Sequence, residues 1–206
     1  MAGVGQHQND DHCDWVRSLL TECRSIREGL TRKQILERFA PSSVEQFRGV
    51  ILVHRQCGNL ETSVDFQPVG GAVFDAQQQL TNQPTLSDIV WRTSRPWLCG
   101  HETSQWQTPL RHNAWLQSII RDWYWVRRGT TRAELFHTFG YAGGVSGIFT
   151  QERFAHQACG EIQLEVSFWP KGGPRFDGEG RIVNMQHPQD RIWDCSRLFL
   201  DWEIFD

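Results

Sequence analysis

The sequence lacks a long apolar run and an excess of either charge. No stretch of its 206 residues approaches the roughly 20 apolar residues of a membrane-spanning helix. The net charge of −3, with acidic and basic residues interspersed, offers no basic patch for nucleic acid. Residues 1–14 have neither the basic start nor the apolar stretch of a signal peptide. We therefore expect no membrane insertion, no nucleic-acid partner and, by default, a cytoplasmic location, or a periplasmic or secreted one if a leader has been removed.

Motifs that carry catalysis or bind cofactors are missing as well. The chain contains no phosphate loop and no dinucleotide fingerprint. The segment Gly144-Val-Ser146-Gly147 lacks the glycine placement and the strand-to-helix context of a nucleophile elbow. Six cysteines are too few for a disulfide-dense scaffold, and none forms a Cys-x-x-Cys pair. We therefore predict no catalytic residue, no cofactor and no enzyme activity.

One pair of motifs combines histidine with cysteine. His54-x-x-Cys57 and His156-x-x-Cys159 recur in the two halves, and imidazole with thiolate binds zinc where further ligands converge. On a single strand, residues three apart point to opposite faces, which works against that geometry. We therefore predict small buried thiols and no metal. A disulfide such as Cys159 with Cys195 is an alternative that the spacing leaves open.

What the sequence does contain is an internal duplication. The segment Trp15-Val-Arg-Ser-Leu-Leu corresponds to Trp115-Leu-Gln-Ser-Ile-Ile at an offset of 100 residues. The segment Cys57-Gly-Asn-Leu-Glu corresponds to Cys159-Gly-Glu-Ile-Gln at an offset of 102, and a third block repeats at the same offset. Three blocks in the same order, with one two-residue change of offset, indicate a duplicated unit with a loop insertion.

The sequence predicts two helices in each half. Apolar residues recur at helical spacing from Trp15 to Ile26, which predicts the first helix. The second begins at Thr31, whose hydroxyl can cap the helix while Gln34 reaches back to form a capping box. Thr131 and Glu134 repeat that box in the second half.

Strands are predicted to follow the helices. Apolar and polar residues alternate from Leu60 to Phe66 and from Ile162 to Phe168, as in strands buried on one face. The other predicted strands are residues 50–56, 73–74 and 89–95 in the first half and residues 153–158, 175–176 and 191–197 in the second.

The predicted fold class is α+β. Two helices followed by about four antiparallel strands bury the helices against one sheet face, which gives a two-layer unit. We predict a flexible tail over residues 1–13, a first repeat over 14–99, a linker over 100–113 and a second repeat over 114–206.

Several motifs resemble those of a known group of proteins. Gly-[Leu/Thr]-Thr-Arg opens each second helix, a Gly143-Gly144-Val145-Ser146 loop follows in the second half, and a closing strand leads into Leu200-Asp-Trp-Glu-Ile. The chain resembles uncharacterised acidobacterial proteins, related in fold to the tandem beta-lactamase inhibitor proteins and to the small outer-membrane lipoproteins of the barrel-assembly machinery. The resemblance is carried mainly by residues 115–206, because the first half has Ala40-Pro-Ser-Ser43 in place of the glycine loop.

The resemblance implies a bacterial protein-binding module. In those inhibitors, two helix-helix-sheet units join their sheets into a concave, aromatic-rich clamp on a protein partner, and the lipoproteins also act through protein contact. The implied partner is a protein of unknown identity. Fold likeness alone transfers no target and leaves open whether beta-lactamases are bound.

The candidate binding surface is the polar sheet face that the helices leave uncovered. The chain contains ten tryptophans. So high a tryptophan content is typical either of a thick hydrophobic core or of a recognition surface. The alternative to a binding surface is a sheet face that is exposed to solvent and has no binding function. The residues assigned to partner binding by alternation are Glu61, Asp65, Arg92, Glu161, Glu165, Trp169 and Asp194.

Three other tryptophans are predicted to lie away from the binding surface. Trp91 and Trp193 are predicted to face the helices, and Trp106 in the linker is predicted to seal the junction. The alternative is a small-ligand binder or enzyme that uses the cleft between the repeats, where Arg95, Arg197 and the histidines could gather.

Overall fold

The computed structural model describes residues 4–42, 49–78, 81–100, 108–144 and 151–201, with side chains described from residue 9 onward. These residues form four α-helices and ten strands, and the strand pairings are antiparallel. The chain divides into two compact units. The described residues of 17–110 form the first, called the 17–110 unit; those of 4–16 and 111–201 form the second, called the 111–201 unit.

In the 17–110 unit, two helices precede five strands. The central strand is β3, which pairs with β2, β4 and β5, while β1 pairs with the far side of β2. The elements are α1 Val4–Arg24, of which residues 17–24 belong to this unit, α2 Arg32–Leu36, β1 Phe39–Pro41, β2 Gly49–His54, β3 Cys57–Gln67, β4 Ile89–Thr93 and β5 Trp97–Leu98.

The 111–201 unit has the same order of elements. Its central strand is β8, which pairs with β7, β9 and β10, while β6 pairs with the far side of β7. The elements are α3 Leu110–Trp125, α4 Arg132–Leu135, β6 Phe139–Gly143, β7 Gln151–His156, β8 Cys159–Trp169, β9 Arg191–Cys195 and β10 Phe199–Leu200.

The predicted capping boxes are confirmed. The Thr31 hydroxyl accepts a hydrogen bond from the backbone N–H of Gln34, and the Gln34 side chain accepts one from the backbone N–H of Thr31 at 2.9 Å. Glu134 accepts the equivalent bond from Thr131 at 2.7 Å. Gly129 precedes the second box with a φ of +97°, a conformation that glycine adopts without steric cost.

The predicted strands are confirmed in part. Strands β3 and β8 lie where alternation places them, β2 and β7 overlap the predicted strands at 50–56 and 153–158, and β4 and β9 begin at the predicted residues. The predicted short strands at 73–74 and 175–176 are wrong, because Phe74 and Phe176 are exposed and make only isolated bridges. The strands β1, β5, β6 and β10 were not predicted, since two to five residues are too few to establish a period.

The helix α1 begins at Val4, inside the segment that the sequence predicts to be a tail through residue 13. Contacts within the 111–201 unit, to which residues 4–16 belong, explain this difference. Cys13 is buried, and the His12 ring stacks on Trp115 with centroids 4.8 Å apart. The predicted boundaries of the two repeats stay a prediction.

A buried arginine network ties the short helix α4 to strands β7 and β8. The Arg132 guanidinium lies 3.9 Å from the ring centre of Phe168 and donates to both carboxylate oxygens of Glu152. Its Nε also lies 3.8 Å from the carboxylate of Asp190, directly before β9. Arg32 makes the same cation–π contact in the 17–110 unit, at 4.3 Å. Because an unpaired buried charge is costly, this pairing fixes the helix on the sheet.

Candidate functional site

A β-bulge in each of the strands β4 and β9 places one tryptophan on the surface. In β9, Asp194 is opposite Ser167 and Ile192 is opposite Phe168, so Trp193 is the extra residue. Ile192 is buried, whereas Trp193 is 47% exposed. The same register shift occurs between β3 and β4, and Trp91 is 55% exposed. The prediction that Trp91 and Trp193 face the helices is therefore wrong, because the bulge interrupts the alternation on which it depends.

Trp193 meets a second exposed tryptophan and an arginine. Trp169, the last residue of β8, is 44% exposed, and its ring centroid lies 5.6 Å from that of Trp193. The Arg128 guanidinium lies 3.7 Å from the centre of the Trp193 ring. A hydrogen bond of 2.9 Å from Gly129 N to Ile192 O holds the turn that carries Arg128 against β9. We call Arg128, Trp169 and Trp193 the tryptophan patch.

The tryptophan patch has acidic neighbours on the same face of the sheet. Glu165 and Ser167 share a face with Trp169 by strand alternation, and both are half-buried. Asp194 is exposed and lies opposite Ser167. Arg153 lies opposite Glu165 on β7. Three predicted site residues, Glu165, Trp169 and Asp194, therefore lie on one part of this surface.

Glu161, also predicted to bind a partner, lies elsewhere. It is the third residue of β8, at the opposite end of the strand from Trp169. Its carboxylate oxygen lies 3.4 Å from the Cys159 thiol, and it is half-buried. Glu161 therefore lies beside Cys13 and Cys159 and is not part of the tryptophan patch.

In the 17–110 unit, Asp65 and Arg92 lie opposite each other on β3 and β4, as expected of an exposed face. Glu61 does not share that exposure. It is buried, and its carboxylate accepts hydrogen bonds from the Ser42 hydroxyl at 2.9 Å and from Trp97 Nε1 at 3.0 Å. Its prediction as an exposed contact residue is wrong, because the short strand β5 pairs with β3 at this point and covers it.

The tryptophan patch is particular to the 111–201 unit. The repeat offsets pair Trp193 with Trp91, but they pair Trp169 with Gln67 and Arg128 with Glu28. Sequence reasoning missed Arg128. The signal that could have found it is this replacement of an acidic residue by a basic one at equivalent positions before the capping box.

The His-x-x-Cys motifs serve the fold. Each histidine ends one strand and each cysteine begins the next, so that His156 lies opposite Cys159 across a tight turn. The expectation that they point to opposite faces is wrong, because the motif spans a hairpin and not one strand. His156 Nδ1 accepts from the backbone N–H of Ala158 at 3.1 Å, and its Nε2 lies 3.3 Å from the carboxylate of Asp122.

Five of the six thiols are buried, Cys195 is half-buried, and the Cys159–Cys195 disulfide that the spacing left open is not formed. Cys159 and Cys195 are both reduced. The sulfur near Cys159 is that of Cys13 on α1, with the Glu161 carboxylate beside it. Burial raises the pKa of the Cys159 thiol, and Cys13 and Glu161 raise it further, so this thiol is not an activated nucleophile.

Two clefts lie within the units, each between the end of the long helix and the short helix. The cleft in the 17–110 unit has a volume of about 490 Å³, and that in the 111–201 unit about 340 Å³. The acidic residues that line the second are already engaged: Glu134 in its capping box and Asp122 with His156. These contacts assign both carboxylates to the fold rather than to acid–base catalysis.

The fold defines a mixed α/β protein with antiparallel strands and an exposed tryptophan pair on one of its sheet surfaces. Comparison with protein-family models, with curated proteins and with solved structures found no match. None of the described helices is long and apolar enough to cross a membrane.

Proposed function

We propose that this protein is a non-catalytic protein-binding module, built from two tandem two-layer repeats, that binds its partner through the open face of its sheets. The tryptophan patch is the centre of that surface. The observation that carries the proposal is the pair of tryptophan rings, 44% and 47% exposed, in contact with each other at the surface. The duplication in the sequence and the inhibitor-like resemblance support the same class of function.

Physical chemistry favours this use of the patch. Tryptophan and arginine are the residues most enriched among those that dominate interface energies. Covering an aromatic side chain is worth about 1.5–3 kcal/mol when burial is complete. Asp194 and Glu165 add a charged rim, which contributes to specificity more than to affinity. The expected partner therefore inserts an apolar side chain between polar contacts.

The proposal is tested with a pair of variants that the repeat itself supplies. The chain is immobilised, proteins from a bacterial extract are captured, and a captured protein is purified for titration calorimetry. Replacing both rings in Trp169→Ala/Trp193→Ala is expected to weaken binding by at least about 2 kcal/mol, roughly 30-fold. The matched control is Trp91→Ala, which removes an equally exposed tryptophan from the equivalent strand of the other half.

The control variant should bind like the unmodified chain. Unchanged affinity in the double variant contradicts the proposal, as does an equal loss in Trp91→Ala. If the captured protein is a beta-lactamase, an inhibition assay with the same variants extends the inhibitor-like part of the proposal; another partner restricts it to protein binding.

A further inference from the structure

Two thiols and one carboxylate converge in the 111–201 unit. Cys13 comes from α1, Cys159 is the first residue of β8, and Glu161 follows two residues later. One ligand atom from each lies within 4.8 Å of the other two. In tetrahedral zinc sites, Zn–S bonds of about 2.3 Å place two sulfurs about 3.8 Å apart, so small side-chain adjustments suffice to bind an ion.

The donor set selects a metal of a particular kind. Thiolates are soft ligands that favour zinc over magnesium or calcium, and a single carboxylate is compatible with zinc. The two sulfurs are buried, whereas Glu161 is half-buried and leaves a route for an ion and a water ligand. When ionised, these three groups repel one another, and a divalent cation between them reverses that repulsion.

The equivalent positions of the duplicated sequence show that two of these donors are not needed for the fold. The repeat offsets place Asn113 at the position of Cys13 and Asn59 at the position of Glu161, while Cys57 matches Cys159. The Asn59 amide donates to the Cys99 carbonyl at 3.2 Å and its oxygen accepts from a threonine hydroxyl at 3.3 Å. At the position equivalent to Glu161, the hydrogen bonds of a neutral amide therefore suffice.

A neighbouring cluster has a simpler explanation. Asp11, His12 and His112 also bring ligand atoms close together. However, the His112 ring stacks on Trp15 at 4.3 Å, and its Nδ1 is hydrogen-bonded to that of His12 at 2.8 Å. Ring packing and this hydrogen bond account for the cluster. It serves as a competing site in the test.

From this geometry we propose that Cys13, Cys159 and Glu161 bind a zinc ion. The inference is independent of the proposed function, because these residues lie at the end of β8 away from Trp169. The reduced, chelator-treated chain is expected to take up about one Zn²⁺, and Co²⁺ in the same site should show a thiolate-to-cobalt charge-transfer band.

The test variants copy the residues at the equivalent positions of the duplicated sequence, so that they fit the fold. Cys13→Asn and Glu161→Asn introduce the residues found at the equivalent positions. Because loss of an outer-shell partner alone costs about 10–100-fold in metal affinity, loss of the Cys13 ligand is expected to cost at least about 100-fold. Cys57→Ser, Cys195→Ser and His112→Ala are controls that should retain zinc affinity and the cobalt band, and circular dichroism verifies that each variant folds.

Four outcomes overturn the inference. They are the absence of zinc uptake by the folded reduced chain, unchanged affinity in Cys13→Asn, loss in His112→Ala with retention in Cys13→Asn, and a disulfide between Cys13 and Cys159 that excludes the ion. Loss of the charge-transfer band in Cys13→Asn, with retention in the three controls, supports it.

Discussion

Two buried histidines make the stability of the fold depend on pH. His54 and His156 each accept a backbone hydrogen bond at Nδ1, which leaves the proton on Nε2 facing the carboxylate of Glu22 or Asp122 at 3.3 Å. Burial lowers the pKa of both imidazoles from 6.5, although the neighbouring carboxylate opposes that shift. Each side chain is therefore held neutral in the folded chain.

We predict that the free energy of unfolding falls as the pH is lowered from 7 to 5. Because the pKa of His156 is lower in the folded state, the unfolded state binds more protons in this range. Stability is fully present above pH 6.5 and is lost as the pH falls through the folded-state pKa. Urea unfolding at several pH values measures the slope, to which one histidine contributes at most about 1.4 kcal/mol per pH unit.

The variant His156→Gln should reduce that slope. The control is His137→Gln, which replaces an exposed histidine of the same unit and should keep the original slope. Parallel slopes in the unmodified chain and in His156→Gln contradict this account of the buried imidazole.

At the scale of the elements, the bulges decide which side chains reach the surface. Sequence alternation correctly predicted β3 and β8, because each continues long enough to establish a period of two. In β9, the adjacent Ile192 and Trp193 are both apolar, so the sequence gives two equally good registers. The bulge that selects between them depends on pairing with β8, and local pattern does not encode it.

The register of β9 can be tested by measuring the free energy of unfolding of two variants. Ile192→Ala removes a fully buried side chain and is expected to lower the free energy of unfolding by about 2–5 kcal/mol. Trp193→Ala removes a side chain that is 47% exposed and is expected to cost less than about 1.5 kcal/mol. Urea unfolding compares the two, and a larger loss in Trp193→Ala would mean that the register is wrong.

Capping chemistry was the most predictable local feature. A threonine followed three residues later by glutamine or glutamate forms two reciprocal hydrogen bonds regardless of tertiary context. The burial of Glu61 was not predictable in the same way, because it depends on Ser42 and on Trp97 in a strand of two residues. Such short strands carry no periodic signal.

At the scale of the whole molecule, the two units have the same order of elements but carry different residues at positions that the sequence offsets pair. The halves share the order of their helices and strands. They differ where Trp169 and Arg128 replace Gln67 and Glu28. The tryptophan patch is therefore not shared by the two units.

The sequence predicted the candidate site only at strand positions where apolar and polar residues alternate without interruption. Glu165, Trp169 and Asp194 were placed together by period-two reasoning, and the structure brings them to one part of the sheet. Trp193 was predicted to lie in the core and Arg128 was not predicted. The contacts of Trp193 with Trp169 and with Arg128 connect a bulged strand to the end of β8 and to a turn after a helix, and sequence alternation does not describe such contacts.

The most direct test of the binding surface is hydroxyl-radical footprinting of the chain alone and with the captured protein. Trp91, Trp169 and Trp193 are each about half exposed, so all three should be oxidised in the chain alone. In the complex, mass spectrometry should find oxidation of Trp169 and Trp193 strongly reduced and oxidation of Trp91 unchanged. Full oxidation of Trp169 and Trp193 in the saturated complex would contradict the proposal that the tryptophan patch binds the partner.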